Sequence, residues 1–262
     1  MSFAVAADAY DRFMGRYSGP LAPVFAAFAG IGPAQRVLDV GCGPGALTTH
    51  LLQGVGLGTD AVAAIDPSEH FVNAARARHP GVDVRRGSAE ALPFDDAAFD
   101  VAAAQLVVHF MADPVVGLGE MRRVTREHGV VAACVWDHEG GGGPLSVFWK
   151  AAAAVDPTVV GEADLAGARE GHLAALLRAA GLGDVESALL SVTVEHATFD
   201  EWWEPYTLGV GPAGAHVARL APDQQAELRD HCRQMLPAAP FTVTARAWAA
   251  RGRAERLSGS GG

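Results

Sequence analysis

The run Val37-Leu38-Asp39-Val40-Gly41-Cys42-Gly43-Pro44-Gly45 carries an apolar stretch into a glycine-rich turn, and the segment 46–53 that follows reads as a helix. A strand that opens through glycines into a helix gives a tight turn and lets the backbone approach a ligand closely. The glycines alone do not choose the ligand, because Gly41, Gly43 and Ala46 also satisfy the loose dinucleotide pattern G-x-G-x-x-A. Asp39 is the discriminating residue. A carboxylate at the ligand end of that strand repels a pyrophosphate and suits a ligand bearing an ammonium and a sulfonium; the plainer alternative is that Asp39 caps loop amides. Asp66 closes the second apolar run, AVAAI, and an acid at such a strand tip can accept both hydroxyls of a ribose. Asp66-Pro67-Ser68 also has the composition of a helix N-terminus, and the two roles are compatible.

The elements that must position these residues follow a simple rhythm. Apolar runs at 36–40, 61–65, 82–86, 99–107 and 129–136 read as strands, and 46–53, 68–78 and 114–125 read as helices between them. Strands joined by helices argue for a mostly parallel sheet covered on both faces. Residues 7–30 have helical periodicity with a break expected at Ser18-Gly19-Pro20. After Trp136 the pattern changes. Gly140–Gly143 reads as a flexible turn, 145–156 and 171–180 as helices, 185–196 and 241–251 as strands, and 199–237 as mostly helical. The expected organisation is a single domain over 1–257, with an N-terminal helical cap (1–30), a helical insertion (197–240) and a disordered tail (258–262).

Composition narrows the partners. The chain has 262 residues, half of them apolar, with a net charge of −10 and Lys150 as its only lysine. No basic stripe is present to offset that charge, so nucleic acid is not an expected partner. The apolar runs are short and interrupted, so neither a membrane span nor a signal peptide is expected. Cys42, Cys134 and Cys232 form neither a disulfide framework nor a metal pattern, which fits a reducing cytoplasm and no bound metal.

Taken in order, VLDVGCGPG, AIDPSEHFVNAARAR, RRGSAEALPFDDAAFDV and EMRRVTREHGVVAACVWD resemble the motifs of seven-stranded, S-adenosylmethionine-dependent methyltransferases, closest to the small-molecule branch called type 11. The resemblance covers roughly residues 10–137. It implies a Rossmann-like α/β sandwich with strand order 3-2-1-4-5-7-6, the last strand antiparallel. It also implies S-adenosyl-L-methionine as cofactor, S-adenosyl-L-homocysteine as product, and a small-molecule methyl acceptor. By the same resemblance Asp39, Gly41, Cys42, Gly43, Gly45, Asp66 and Pro67 hold the cofactor. The adenine loop is Gly87-Ser88-Ala89-Glu90, where Ser88 stands in place of the family's usual acid. There a hydroxyl would have to serve or Glu90 help, and Ala89 could offer its N–H; Glu90 could equally be a solvated helix residue. Gln105 ends the fourth strand beside the methionine end, and Tyr10, Arg16 and Tyr17 of the cap are candidates to cover it, with Phe13 and Met14 read as packing residues. The turn before the fifth strand, Glu127-His128-Gly129, replaces the usual P-G-G.

Methyl transfer needs the acceptor placed in line and water excluded, and a base only if the acceptor is protonated. His109, after the fourth strand, is the candidate base, against the alternative of a structural histidine. Trp136, Asp137 and His138 follow the fifth strand, and Trp202, Trp203 and Tyr206 sit in the insertion; all six are candidate acceptor-side residues, with packing or solvated-loop roles as alternatives. Two rival readings stand beside methyl transfer: a nicotinamide-dependent oxidoreductase and a member of the same fold that binds the cofactor without transferring its methyl. The oligomeric state is not legible.

Overall fold

The computed structural model describes residues 7–255. The expected tail at 258–262 and the first six residues of the cap lie outside the described residues. The centre is a seven-stranded sheet of order β3-β2-β1-β4-β5-β7-β6, built from β1 (Val37–Val40), β2 (Val62–Asp66), β3 (Asp83–Arg86), β4 (Phe99–Gln105), β5 (Thr125–Trp136), β6 (Leu182–His196) and β7 (Phe241–Ala254). The first five strands run parallel, and β7 lies antiparallel between β5 and β6.

β1 and β2 are buried at every position, as expected for parallel strands covered on both faces. Successive side chains feed opposite cores. Val37 joins the layer packed under α2 (Arg16–Ala29) and α3 (Ala46–Gln53), whereas Leu38 and Val40 join the layer under α5 (Pro114–Val124) and α7 (His172–Ala179). Between β2 and β3, α4 (Glu69–Arg78) is capped by Ser68, which accepts from the Phe71 N–H. Ahead of α5, Asp113 accepts from the N–H groups of Val115 and Val116, with Pro114 in the first turn.

Two local expectations need correction. α2 runs unbroken through Ser18-Gly19-Pro20 and even past Pro23. Leu21, Ala22, Phe25, Ala26 and Ala29 are buried against the sheet, and that packing outweighs a proline cost of about 3 kcal/mol. The irregularity lies earlier, as a π-helical turn at Asp11–Gly15 after the short α1 (Ala7–Tyr10). Likewise β5 starts at Thr125 and not at Gly129; its pairing with β4 jumps from Phe99↔Thr125 to Val101↔Val130, and the extra residues bulge out with His128 at φ 62°.

The other connections build a lid. α6 (Ser146–Val155) follows β5, and α8 (Phe199–Trp203), α9 (Gly211–Arg219) and α10 (Pro222–Met235) lie between β6 and β7. Ion pairs tie the cap to its surroundings: Arg12 to Glu204 at 2.7 Å, the half-buried Arg16 to Glu201 at 3.8 Å, and Asp11 to Arg78 of α4 at 2.6 Å. Among the described residues no helix is long and apolar enough to cross a membrane.

Candidate functional site

The register sets the glycine loop beside Asp66. Val40 pairs with Ile65, so Gly41 and Asp66 leave adjacent strands together, and the N–H groups of Gly41 and Cys42 both donate to the Ile65 carbonyl, at 2.7 and 3.0 Å. Gly41 adopts φ 70° and a Cβ there would strike the Val107 side chain at 2.4 Å, so only glycine fits. A Cβ on Gly43 would meet nothing within 4 Å, which leaves room above the loop.

The Asp66 carboxylate organises this loop. One oxygen accepts from the Gly43 N–H at 2.9 Å and the other from Ser68 N–H at 2.8 Å. Each oxygen keeps a lone pair for a further donor. Burial raises its pKa, and the two backbone bonds oppose that rise. Pro67 stands between these anchors and presents its carbonyl to Arg86. Asp39 bonds the helix that follows the loop and not the loop amides. Its Oδ2 accepts from the Thr48 N–H at 3.1 Å and the Thr48 hydroxyl at 2.7 Å, tying β1 to the first turn of α3. Burial pushes its carboxyl up to about 7, against the pull of the Thr48 bonds. Cys42 is buried and its thiol is raised well above the usual range by burial, so it is packing and not a nucleophile.

In the third loop Ala89 is buried and Ser88 is exposed. The Ser88 hydroxyl bonds the Glu90 carboxylate, whose other oxygen accepts from the Ala112 N–H at 2.7 Å. Glu90 is thus a brace between the loops after β3 and β4. Burial raises its pKa, but the bonds from Ser88, Ala112 and Asp113 win and hold it below the ordinary value.

Four buried side-chain polar atoms lack a partner among the described residues: Ser18 Oγ, Gln105 Oε1, His109 Nδ1 and His138 Nε2. They do not scatter. Gln105 ends β4 and donates its Nε2 to the Ser18 carbonyl of α2 at 3.0 Å, which brings these two residues into contact. Leu106, the next residue, lines a small cavity of about 40 Å³ with Tyr10, Phe13, Met14, His109, Phe110, Trp136, His138, Leu145 and Glu162, closed by residues 210–212 of the lid. Unpartnered buried polar atoms are rare in native proteins and call for an explanation such as a ligand. His109 lies 3.9 Å from the Phe110 ring and 6.2 Å from His138, centroid to centroid. Burial pushes His109 down to about 3, with His138 adding to the effect, and pushes His138 down to about 4. Both rings are neutral at pH 7.

Several sequence expectations do not survive this geometry. Of the cap residues, Tyr10 lines the cavity, with its ring edge-on to Phe71 at 5.1 Å. Arg16 instead turns to His196 Nδ1 at 3.0 Å, and the Tyr17 hydroxyl reaches His196 Nε2 at 3.0 Å. A short cap lying across strand ends presents only one side inward, and the side carrying Arg16 and Tyr17 faces the end of β6. Phe13 and Met14 do line the cavity, and the Met14 sulfur accepts from the Trp136 indole at 3.3 Å. Trp202, Trp203 and Tyr206 are buried in the lid's own core. Tyr206 stacks on Phe148 at 4.6 Å and meets the back of Phe13 at 5.2 Å, one layer behind the cavity wall. Asp137 also leaves the acceptor side. It accepts from the Gly140 N–H at 3.0 Å and the Trp248 indole at 3.1 Å, with Arg246 3.6 Å away. Cβ atoms on Gly140 or Gly142 would strike its carboxylate at 2.5 Å, so the four-glycine run is a turn wrapped on Asp137 and not a flexible segment. Sequence reading missed Glu162, Leu145 and Val210, which sit in stretches without any motif.

Among known proteins, residues 38–133 match the type 11 methyltransferase-domain family. A malonyl-[acyl-carrier protein] O-methyltransferase of Erwinia billingiae is 36% identical over 132 residues, half of each chain. The chain spans about half or less of the length of the curated relatives it matches. A proposed methyltransferase from Bacillus halodurans superposes with a TM-score of 0.59 at 17% identity, covering 90% of this chain and 99% of that one. The phosphoethanolamine N-methyltransferase 2 of Haemonchus contortus, solved with S-adenosyl-L-methionine, gives 0.57 at 16% identity, covering 95% of this chain and 57% of that one. The strand order, the glycine loop and the matched segment agree: residues 38–133 match the methyltransferase-domain family and lie in a seven-stranded sheet of the order seen in methyltransferases.

Proposed function

We propose that the chain binds S-adenosyl-L-methionine across the strand ends between Gly41–Gly45, Asp66 and Gln105, and transfers its methyl to a small molecule held in the cavity under the cap. The observation that carries this reading is that two of the four unpartnered buried atoms of the described residues, on His109 and His138, belong to one cavity with Leu106, while the other two belong to the adjoining Gln105 and to Ser18, whose carbonyl Gln105 bonds. The residues fit the cofactor. Asp66 has lone pairs for ribose hydroxyls, the space above Gly43 is open, and Gln105 Oε1 with Ser18 Oγ offers acceptors to an ammonium. When bound there, the cofactor supplies an activated methyl on a sulfonium. The protein's part is positioning and dryness. Tyr10, Phe13 and Met14 seal the site from the cap side, and Leu106, Phe110 and Trp136 wall it from the sheet side. Burial makes His109 a weak base, so in this reading it serves as a hydrogen-bonding wall residue and not as a general base.

The small-molecule assignment is supported by the size of the cavity and by the net charge of −10, which disfavours a polyanionic acceptor. Calorimetric titration with S-adenosyl-L-methionine, S-adenosyl-L-homocysteine and NAD tests the cofactor. Heat with NAD alone would return the chain to the oxidoreductase reading. Binding without any S-adenosyl-L-homocysteine formed across an acceptor panel would favour the non-methylating one.

A further inference from the structure

Resting on the methyl-transfer reading, we propose that Glu162 is the acceptor's anchor and proton acceptor, and that the acceptor is a small amine with an apolar body. Glu162 lines the same cavity as Tyr10, Leu106 and His109 and is only 6% exposed. Its Oε2 accepts from the Trp149 indole at 2.8 Å. Among the described residues it forms no ion pair, and no lysine or arginine lines the cavity. A buried carboxylate without a counter-charge is costly, and burial accordingly raises its pKa, with the Trp149 bond working against the rise.

The remaining polar groups of the wall agree. His109 and His138 present neutral imidazole nitrogens without partners, each able to accept or donate a hydrogen bond according to its tautomer. The wall therefore carries one carboxylate and has no fixed cation. An acceptor carrying a carboxylate or phosphate at this end would set like charge against Glu162 with nothing to neutralise it. An alcohol would leave the carboxylate unpaired. An ammonium supplies the missing charge and several N–H donors, and the rings of Tyr10, Phe13, Phe110 and Trp136 give it aromatic faces. The cavity, about 40 Å³ and partly open to solvent at Phe110, has room for such a head group.

The chemistry balances. The ammonium passes one proton to a Glu162 carboxylate oxygen, breaking an N–H bond and forming an O–H bond. The freed nitrogen lone pair then forms the N–C bond as the C–S bond breaks, and the sulfonium becomes a neutral thioether. The methylated product keeps the positive charge on nitrogen, and Glu162 returns its proton to water when the site opens.

The test uses three molecules of one skeleton: 2-phenylethylamine, 2-phenylethanol and phenylacetate. Each is titrated by calorimetry into the full chain saturated with S-adenosyl-L-homocysteine. The amine should bind about tenfold or more tighter than the alcohol, and phenylacetate should not bind. Glu162→Gln should lower amine affinity by about tenfold or more while leaving the alcohol unchanged. With S-adenosyl-L-methionine, the N-methylated amine should appear by mass spectrometry and the O-methyl ether should not. An alcohol that binds as well as the amine, an amine that does not bind, or a Glu162→Gln chain that binds the amine normally overturns the proposal. If that variant does not fold, the wild-type comparison of amine with alcohol still decides. Failure is separable from failure of the cofactor reading: absence of heat with S-adenosyl-L-homocysteine refutes methyl transfer itself, whereas normal cofactor heat without amine preference refutes only the amine assignment.

Discussion

Replacing Asp39 by asparagine should make the protein more stable, and more so as pH rises. Asp39 is 1% exposed and its carboxyl is lifted from 3.8 to about 7, first by burial and, against the opposing Thr48 bonds, also by the nearby Asp66. Below pH 3.8 both folded and unfolded chains hold the proton. Between 3.8 and about 7 the unfolded chain has released it while the folded chain keeps it, so stability falls as pH rises; above about 7 the loss is complete. At about 1.4 kcal/mol per unit the full effect is on the order of 4 kcal/mol. Asparagine cannot titrate, and its amide oxygen can still accept from both Thr48 donors. Whatever the altered hydrogen bonds cost, that cost is the same at every pH and cancels in the comparison. The stability advantage of Asp39→Asn over wild type should therefore grow by roughly 2–3 kcal/mol between pH 5 and pH 8. Urea denaturation at four pH values, followed by tryptophan fluorescence, measures it. A difference that stays flat, or shrinks with pH, would refute the claim that the ionised form is the strained one.

Other outcomes follow from the same geometry. Asp66→Ala should weaken cofactor binding by about 1.5–3 kcal/mol or somewhat more, because the Gly43 and Ser68 amides lose their acceptor as well as any ribose contact; unchanged affinity by calorimetry rejects the ribose role. Trp203→Ala or Tyr206→Ala should lower stability by about 3–5 kcal/mol by opening a hole in the lid core. A thermal melt close to wild type with turnover lost would restore these aromatics to the acceptor wall. Gly41→Ala combines a left-handed backbone with a Cβ driven into Val107 and should lose cofactor binding and stability together, as read by parallel titration and melt. The pH–rate profile should show no inflection near 6.5 from His109, since its protonation lies near 3. A limb at 6.5 that vanishes in His109→Gln would contradict this.

The fold around the glycine loop was legible because its signals are local. A strand, a glycine turn and a helix in immediate succession leave few ways to place Asp66 beside Gly41, and the parallel register then does so. The acceptor half resisted for the opposite reason. Nothing near Glu162 in sequence marks it, because its meaning comes from Tyr10, His109 and His138, each on a different segment. Trp202, Trp203 and Tyr206 announce an aromatic cluster, but which ring faces the cavity is decided by Phe13 and Leu145 inserted in front of them. The unbroken α2 shows the same limit at small scale: Pro20 and Pro23 carry a true local preference, and burial of the helix overrides it.

The ion pairs that fasten the cap have a kinetic consequence. On the proposed reading, in which the acceptor sits in the cavity of about 40 Å³ under the cap, movement of the cap to admit it would separate Arg12 from Glu204 and Asp11 from Arg78. Both pairs are solvent-exposed, and dissolved salt weakens such contacts. Where departure of product sets the pace, moderate ionic strength would quicken the enzyme, and the same salt would shorten the time that a weakly held acceptor remains inside. The salt level around the protein would then act as a setting of its tempo.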